Sequence, residues 1–248
     1  MLRLEYVGMT HRGRIRSVNQ DALVCAGECL PRIGGGGGSG ATVRGNSGLE
    51  KPLFFGVFDG LGGEQCGEVA SYMAAQTAQS WRPRADRDAL NHLCAEMNRR
   101  ICEFTERNAL RTCGTTAAMA VLHDGRMVGC NLGDSRIYLK RKGEMTQLSR
   151  DHVLPLYPGP KPPLSQFLGI PETEVLLSPA WIDCGLCDGD QVLFCTDGLV
   201  DMVPPEKVSE ILAEEKPTEE KAEKLFWNAM DAGGRDNLSL ILLYLEGT

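Results

Sequence analysis

Leu53-Phe54-Phe55-Gly56-Val57-Phe58-Asp59-Gly60-Leu61-Gly62-Gly63 is the stretch on which the fold of this chain turns. Leu53 to Phe58 is a short, aromatic-rich apolar run, which reads as a buried strand. It runs straight into the carboxylate of Asp59, and the glycines behind it permit tight, unusual backbone geometry. A carboxylate at the end of a buried strand stands on the rim of a sheet. Four more short acidic motifs are scattered along the chain: Asn19-Gln20-Asp21, Gly133-Asp134-Ser135-Arg136, Thr196-Asp197-Gly198 and Arg235-Asp236-Asn237. Four of the five directly border a strand-like apolar run, which is how a carboxylate-lined metal site is assembled on a sheet rim.

Past the glycines the period changes. Cys66, Val69, Ala70, Met73, Ala74, Thr77 and Trp81 recur at helical spacing, and Leu90, Leu93, Cys94, Met97, Ile101 and Phe104 repeat it in a second helix. Short strands then return at Ala117 to Leu122, Met127 to Leu132, Ile137 to Leu139 and Met145 to Leu148, with turns at Asp124-Gly125 and around Lys142-Gly143. These read as an antiparallel meander. Residues 153–180 are rich in proline, with one brief apolar group at Phe167-Leu168, and read as a long surface excursion. A strand from Gln191 to Cys195 leads into Thr196-Asp197-Gly198, helices follow at about 205–214 and 219–230, and Leu238 to Leu245 closes as a buried strand.

On the other side, Leu4 to Val24 gives one or two strands with Gly13 in a turn. The run Gly34 to Gly40 lacks the Gly-Lys-Ser/Thr ending and the following helix of a phosphate-cradling loop, so a flexible loop over about 34–48 is expected. Strands, two helices, strands, two helices and a strand are not the alternation of a parallel sheet. The order fits an α+β fold with helices layered on antiparallel sheets.

At 248 residues, with no visible internal repeat, a single domain over 1–248 is expected. A net charge of −7 argues against a general nucleic-acid binder, which needs a basic surface. The N-terminus shows no secretory signal, and the stretch Leu238 to Leu245 falls far short of the roughly 20 residues that span a bilayer. We therefore expect a soluble, cytoplasmic, monomeric protein with neither nucleic-acid nor membrane partner. The ten cysteines are dispersed and most sit in apolar surroundings, as buried free thiols do. Cys184-Gly185-Leu186-Cys187, the one CxxC, has no second ligand pair.

If the strand ends converge, Asp59, Asp134, Asp197 and Asp236 place like charges in a small volume, which is costly without cations. Oxygen donors suit Mg²⁺ or Mn²⁺, and His11, His92, His123 and His152 show no paired zinc-ligand spacing. Asp-Gly is also the commonest turn dipeptide, and Asp124-Gly125 and Asp188-Gly189 read simply as turns.

Arg16-Ser17-Val18-Asn19-Gln20-Asp21, Asp59-Gly60-Leu61-Gly62-Gly63, Gly114-Thr115-Thr116, Gly133-Asp134-Ser135-Arg136, Asp151-His152, Gly189-Asp190 with Thr196-Asp197-Gly198-Leu199, and Gly234-Arg235-Asp236-Asn237 stand in the order seen in one family. Over almost its whole length the chain resembles the metal-dependent serine/threonine protein phosphatases of type 2C (the PPM family), in their compact bacterial form. The resemblance implies a four-layer α-β-β-α sandwich, two antiparallel sheets flanked by helix pairs. It implies Mn²⁺ or Mg²⁺ as cofactor, with two ions in the core site. Asp59 would bridge them, the Gly60 carbonyl would bind the second, Asp197 and Asp236 would hold the first, and Asp21 would act through coordinated water. Asp134 matches the position that, with Asp197, holds a weaker third ion in bacterial relatives.

The chemistry implied is hydrolysis of phosphoserine and phosphothreonine in proteins by a metal-bridging hydroxide, opposing cytoplasmic kinases in signal transduction. Asp59 and Arg16 are the catalytic candidates, and Arg16 would clamp the phosphate because its planar fork donates two parallel hydrogen bonds. Asn237 is expected to orient a ligand rather than bind metal. Gln20 stands where Glu is common, lowering the charge near the second ion. Thr115, Thr116, Ser135, Arg136 and His152 are expected to be structural, and a flap-like segment over about 153–179 carries Lys161. Leu61 stands where eukaryotic relatives often carry a histidine, so the leaving group needs another acid. Two further readings stay open, a non-catalytic phosphoprotein-binding relative and a phosphohydrolase of small phosphate esters.

Overall fold

The computed structural model describes residues 2–31, 39–61, 66–159 and 161–247. In chain order they form β1 (Leu2–His11), β2 (Asp21–Cys25), β3 (Glu28–Leu30), β4 (Gly40–Gly48), β5 (Leu53–Asp59), α1 (Gly67–Ser80), α2 (Arg87–Arg107), β6 (Ala117–His123), β7 (Arg126–Leu132), β8 (Arg136–Arg141), β9 (Glu144–Gln147), β10 (Ala180–Gly185), β11 (Gln191–Cys195), α3 (Asp197–Val200), α4 (Pro205–Leu212), α5 (Thr218–Asp231) and β12 (Leu238–Gly247). The strands pair antiparallel into two six-stranded sheets, ordered β4-β1-β12-β11-β8-β9 and β10-β7-β6-β5-β2-β3.

Successive strand residues face opposite ways, and here both faces of the central strands are covered. β5 sends Phe54 and Phe58 toward α1 and α2, and Phe55 and Val57 into the space between the sheets. β12 sends Leu240 and Leu242 toward α4 and α5, and Ile241 and Leu243 inward. This two-sided burial is why these strands read as unbroken apolar runs rather than as alternation. Three apolar layers result, one inside the sandwich and one under each helical layer. Fully buried side chains such as Phe55 and Phe194 each contribute about 1.5–3 kcal/mol. Ala70, Ala74 and Ala78 let α1 lie close on its sheet, and Asp86 caps α2 by accepting from the Ala89 N–H at 2.9 Å.

The architecture is the α+β sandwich the resemblance implies, and the helices fall where the periodicity put them. Two local expectations fail, and one strand beyond them was not expected. Residues 40–48, expected as loop, form β4, paired along β1 with Ala41 and Val43 turned toward the inner layer; Gly34 to Gly38 lie outside the described residues, as do Gly62 and Gly63. The meander is not one sheet: β6 and β7 belong to one, β8 and β9 to the other, and the chain crosses between them at 133–135. The excursion over 153–180 ends in an edge strand, β10, paired with β7. Among the described residues no helix is long and apolar enough to cross a membrane.

Candidate metal centre

The acidic motifs meet at one end of the sandwich. Asp21 opens β2 and faces Asp59, the last residue of β5, directly across the strand pair. In the facing sheet β11 and β12 are neighbours; Asp197 follows the first and Asp236 precedes the second. Asp134 stands in the crossover between β7 and β8. A cavity of about 360 Å³ opens there, walled by the carboxylates of Asp59, Asp134, Asp197 and Asp236, by the cations Arg16 and Lys161, and by the apolar Leu61, Pro162, Pro163 and Leu164. Asp21 lies beneath this floor, only 1% exposed.

The strand ends are held by hydroxyls. Thr115 Oγ1 and the Thr116 N–H both donate to the Asp59 carbonyl, at 2.9 and 2.8 Å, and the Asp59 N–H donates to Thr116 Oγ1 at 3.0 Å. Thr116 Oγ1 and Ser135 Oγ lie 2.6 Å apart, tying the Asp59 rim to the Asp134 crossover. Asn237 laces the loop that carries Arg16: its Oδ1 accepts from the Gln20 N–H, and its Nδ2 donates to the carbonyls of Arg12 and Val18, all at 2.8 Å. The Gln20 carbonyl accepts from the Gly60 N–H at 3.0 Å, and the Gln20 side chain donates to Glu68 at 3.2 Å.

Burial and mutual repulsion raise Asp21, Asp59 and Asp134. Burial pushes Asp21 up to about 7, against the hydroxyl bonds it accepts and with help from the charges of Asp197 and Asp236. Asp59 is raised well above its usual range by burial and then by Asp197, Asp21, Asp134 and Asp236. Asp134 rises to about 6 through burial and Asp197. Such a set is held below its natural charge and gains by taking up cations. Asp21 Oδ2 accepts from Thr196 Oγ1 at 2.9 Å, but its Oδ1 is buried with no partner among the described residues. An orphaned buried oxygen among repelling carboxylates, with an all-oxygen donor set, fits hard divalent cations.

The chain is similar to protein phosphatases of known sequence and structure. A family model for protein phosphatase 2C matches residues 33–154. The serine/threonine phosphatase stp of Listeria innocua is 28% identical over 254 residues, covering 94% of this chain and 93% of that protein. The protein phosphatase PhpP of Streptococcus pneumoniae is 29% identical over 207 residues, covering 76% of this chain and 84% of its own. The solved catalytic domain of the serine threonine protein phosphatase PstP, in complex with two manganese ions, superposes with a TM-score of 0.80 at 25% identity and covers 100% of both chains.

The chain resembles the protein phosphatase 2C family.

The structure brings Arg16, Gln20, Asp59, Gly60, Asp134, Asp197 and Asp236 to one cavity, with Asp21 directly below and Asn237 behind. Arg16 Nη2 donates to Asp236 Oδ2 at 2.7 Å. His152 does not line the cavity; burial pulls its pKa down, and its backbone holds the crossover by donating to the Gly133 carbonyl at 2.9 Å. Two participants are named in the sequence reading without the contacts they make. Thr196 supplies the hydroxyl to Asp21 from 175 residues away, and Lys161 donates to Asp197 Oδ2 from the 153–179 segment. Burial would pull the Lys161 ammonium down; Asp197, Asp134 and Asp201 outweigh it and raise it.

Proposed function

We propose that this phosphatase hydrolyses phosphoserine and phosphothreonine in proteins, with two divalent cations, Mn²⁺ or Mg²⁺, at the rim formed by Asp59, Asp197 and Asp236. The observation that carries the reading is the convergence of these carboxylates, from two sheets, on one cavity whose wall also holds the Arg16 guanidinium. The two manganese ions of the PstP relative support the choice of ion. Asp59 and the Gly60 carbonyl would hold one ion, Asp59, Asp197 and Asp236 the other, and Asp21 would act through water. The chemistry such ions supply is neutralisation of phosphoryl oxygens and a water with its pKa lowered toward neutrality.

The chain's own residues bind and orient. Arg16 is already engaged by one carboxylate, and its fork offers a phosphoryl dianion a stronger, bidentate partner. Asn237 fixes the loop from Arg12 to Gln20, so that fork stays aimed at the cavity. Leu61 carries no proton donor, so the leaving oxygen would take its proton from another group at the cavity and not from residue 61. Ile15 and Val18, close to Arg16 in sequence, are 71% and 50% exposed, and exposed apolar side chains there would favour a polypeptide substrate over a small phosphate ester. In the cell we assign the chain a cytoplasmic signalling role as a monomer that reverses the work of a serine/threonine kinase.

A metal-titrated phosphopeptide assay tests this, with sugar phosphates and nucleotides as competing substrates. Phosphate release from the phosphopeptide should need Mn²⁺ or Mg²⁺ and disappear in EDTA. A rate unchanged by EDTA overturns the reading, and metal binding without turnover of any phosphopeptide would make this a binding module instead.

A further inference from the structure

The family resemblance gives Asp134 and Asp197 to a third, loosely held ion, but that space already has a cation of the chain's own. Lys161 Nζ donates to Asp197 Oδ2, stands 3.9 Å from Asp201 Oδ2, and shares the cavity wall with Asp134. The hairpin that delivers it is built in. Val153 bridges to Leu164, the Leu154 N–H donates to the Pro163 carbonyl and the Ser165 N–H to the His152 carbonyl, both at 2.9 Å. The His152 N–H in turn donates to the carbonyl of Gly133, one residue before Asp134. Pro162 and Pro163, directly after Lys161, fix the backbone where the side chain leaves it. The base of the segment that carries Lys161 is thus tied to the same crossover that carries Asp134.

A divalent ion shared by Asp134 and Asp197 would have to sit beside this ammonium and compete with it for Asp197 Oδ2, and like charges so placed repel. We propose that Lys161 is a tethered cation standing in the position of the third ion, so that this chain takes up two exchangeable ions and supplies the third charge itself. Lys suits the task because its ammonium is a compact point charge with three donors on a flexible stem. The charge on that side of the cavity is then independent of free metal, and the metal dependence should show one saturating phase with no weaker second one. The proposal rests on the two-ion reading above.

The test is a Mn²⁺ titration of the full chain with free Mn²⁺ followed by electron paramagnetic resonance, a readout that needs no turnover. Wild type should bind two ions, Lys161→Gln should gain a third and weaker one, Lys161→Arg should stay at two, and Asp134→Asn in the Lys161→Gln background should return to two. A third ion in wild type or in Lys161→Arg, or a Lys161→Gln protein that still binds two, overturns the proposal while leaving the two-ion centre intact. Fewer than two ions in wild type overturns the metal reading itself, and this one with it.

Discussion

The dipeptide Asp-Gly stands at both ends of the sandwich, and the two ends use it for different physical reasons. At Asp59-Gly60 and Asp197-Gly198 the glycine makes room: a Cβ on Gly60 would lie 2.2 Å from the Gly67 carbonyl oxygen, and one on Gly198 would lie 1.9 Å from that of Asn237. At Asp124-Gly125 and Asp188-Gly189, on the hairpin end, the nearest atoms are at ordinary distances or absent, and the glycine is required by its φ of +71° or +80° instead. The carboxylates divide the same way. Asp197 is 6% exposed in the cavity wall, whereas the Asp124 side chain is 73% exposed on a turn. Close backbone approach marks a site, and a left-handed φ marks a corner.

The largest effect should separate the two ends by activity. Asp59→Asn should lower phosphopeptide turnover at least about a thousandfold, a loss of roughly 4 kcal/mol of transition-state stabilisation, while Asp124→Asn stays within about twofold. Comparable losses would erase the distinction. Next comes stability. Gly198→Ala, driven against the Asn237 carbonyl, should destabilise by about 1–3 kcal/mol and weaken Mn²⁺ binding, while Gly125→Ala should cost about 1 kcal/mol for its backbone conformation and leave Mn²⁺ binding alone. Urea denaturation with a parallel Mn²⁺ titration reads both.

The rim should also carry a pH signature. Asp21 and Asp134 rise to about 7 and about 6 in the folded protein without metal. Between about pH 4 and 7 the folded chain keeps protons that the unfolded chain has released, so stability falls as pH rises through that window. Thermal melts in EDTA should drop by a few degrees between pH 5 and 7.5, and Mn²⁺ should flatten the trend; a metal-free protein that becomes more stable over the same interval contradicts the assignment. The smallest effect belongs to the hairpin end. Asp188→Ala removes the bond that Asp188 Oδ1 accepts from the Gly247 N–H at 2.7 Å and should cost about 0.5–1.5 kcal/mol, with turnover unchanged.

The sequence made the layered sandwich and the rim carboxylates legible because both announce themselves locally. A strand buried on two faces is a continuous apolar run, and a strand that ends in Asp-Gly carries its carboxylate with it. What escaped is either marginal or long-range. β4 has only Ala41 and Val43 turned inward and follows a run of glycines, so its alternation is too thin to read. The split of the meander lies in one short crossover, while the strands on either side look alike. Lys161 finds Asp197 across 36 residues and Thr196 finds Asp21 across 175, and no spacing rule spans such distances. The family order of motifs supplied Asn237 as an orienting residue, but its actual work, lacing Arg12, Val18 and Gln20 together, is visible only in three dimensions.

Because the chain changes sheet between β7 and β8, the rim belongs to two separate pleated layers: Asp21 and Asp59 ride on one, Asp197 and Asp236 on the other, and Asp134 on the strap between them. Between those layers lie Phe55, Phe194, Leu23 and Ile241, side chains whose close packing sets the spacing of the two sheets. Ions held by both sets would rivet the layers at one edge, so the bulk of the apolar filling becomes the gauge that spaces the ligands.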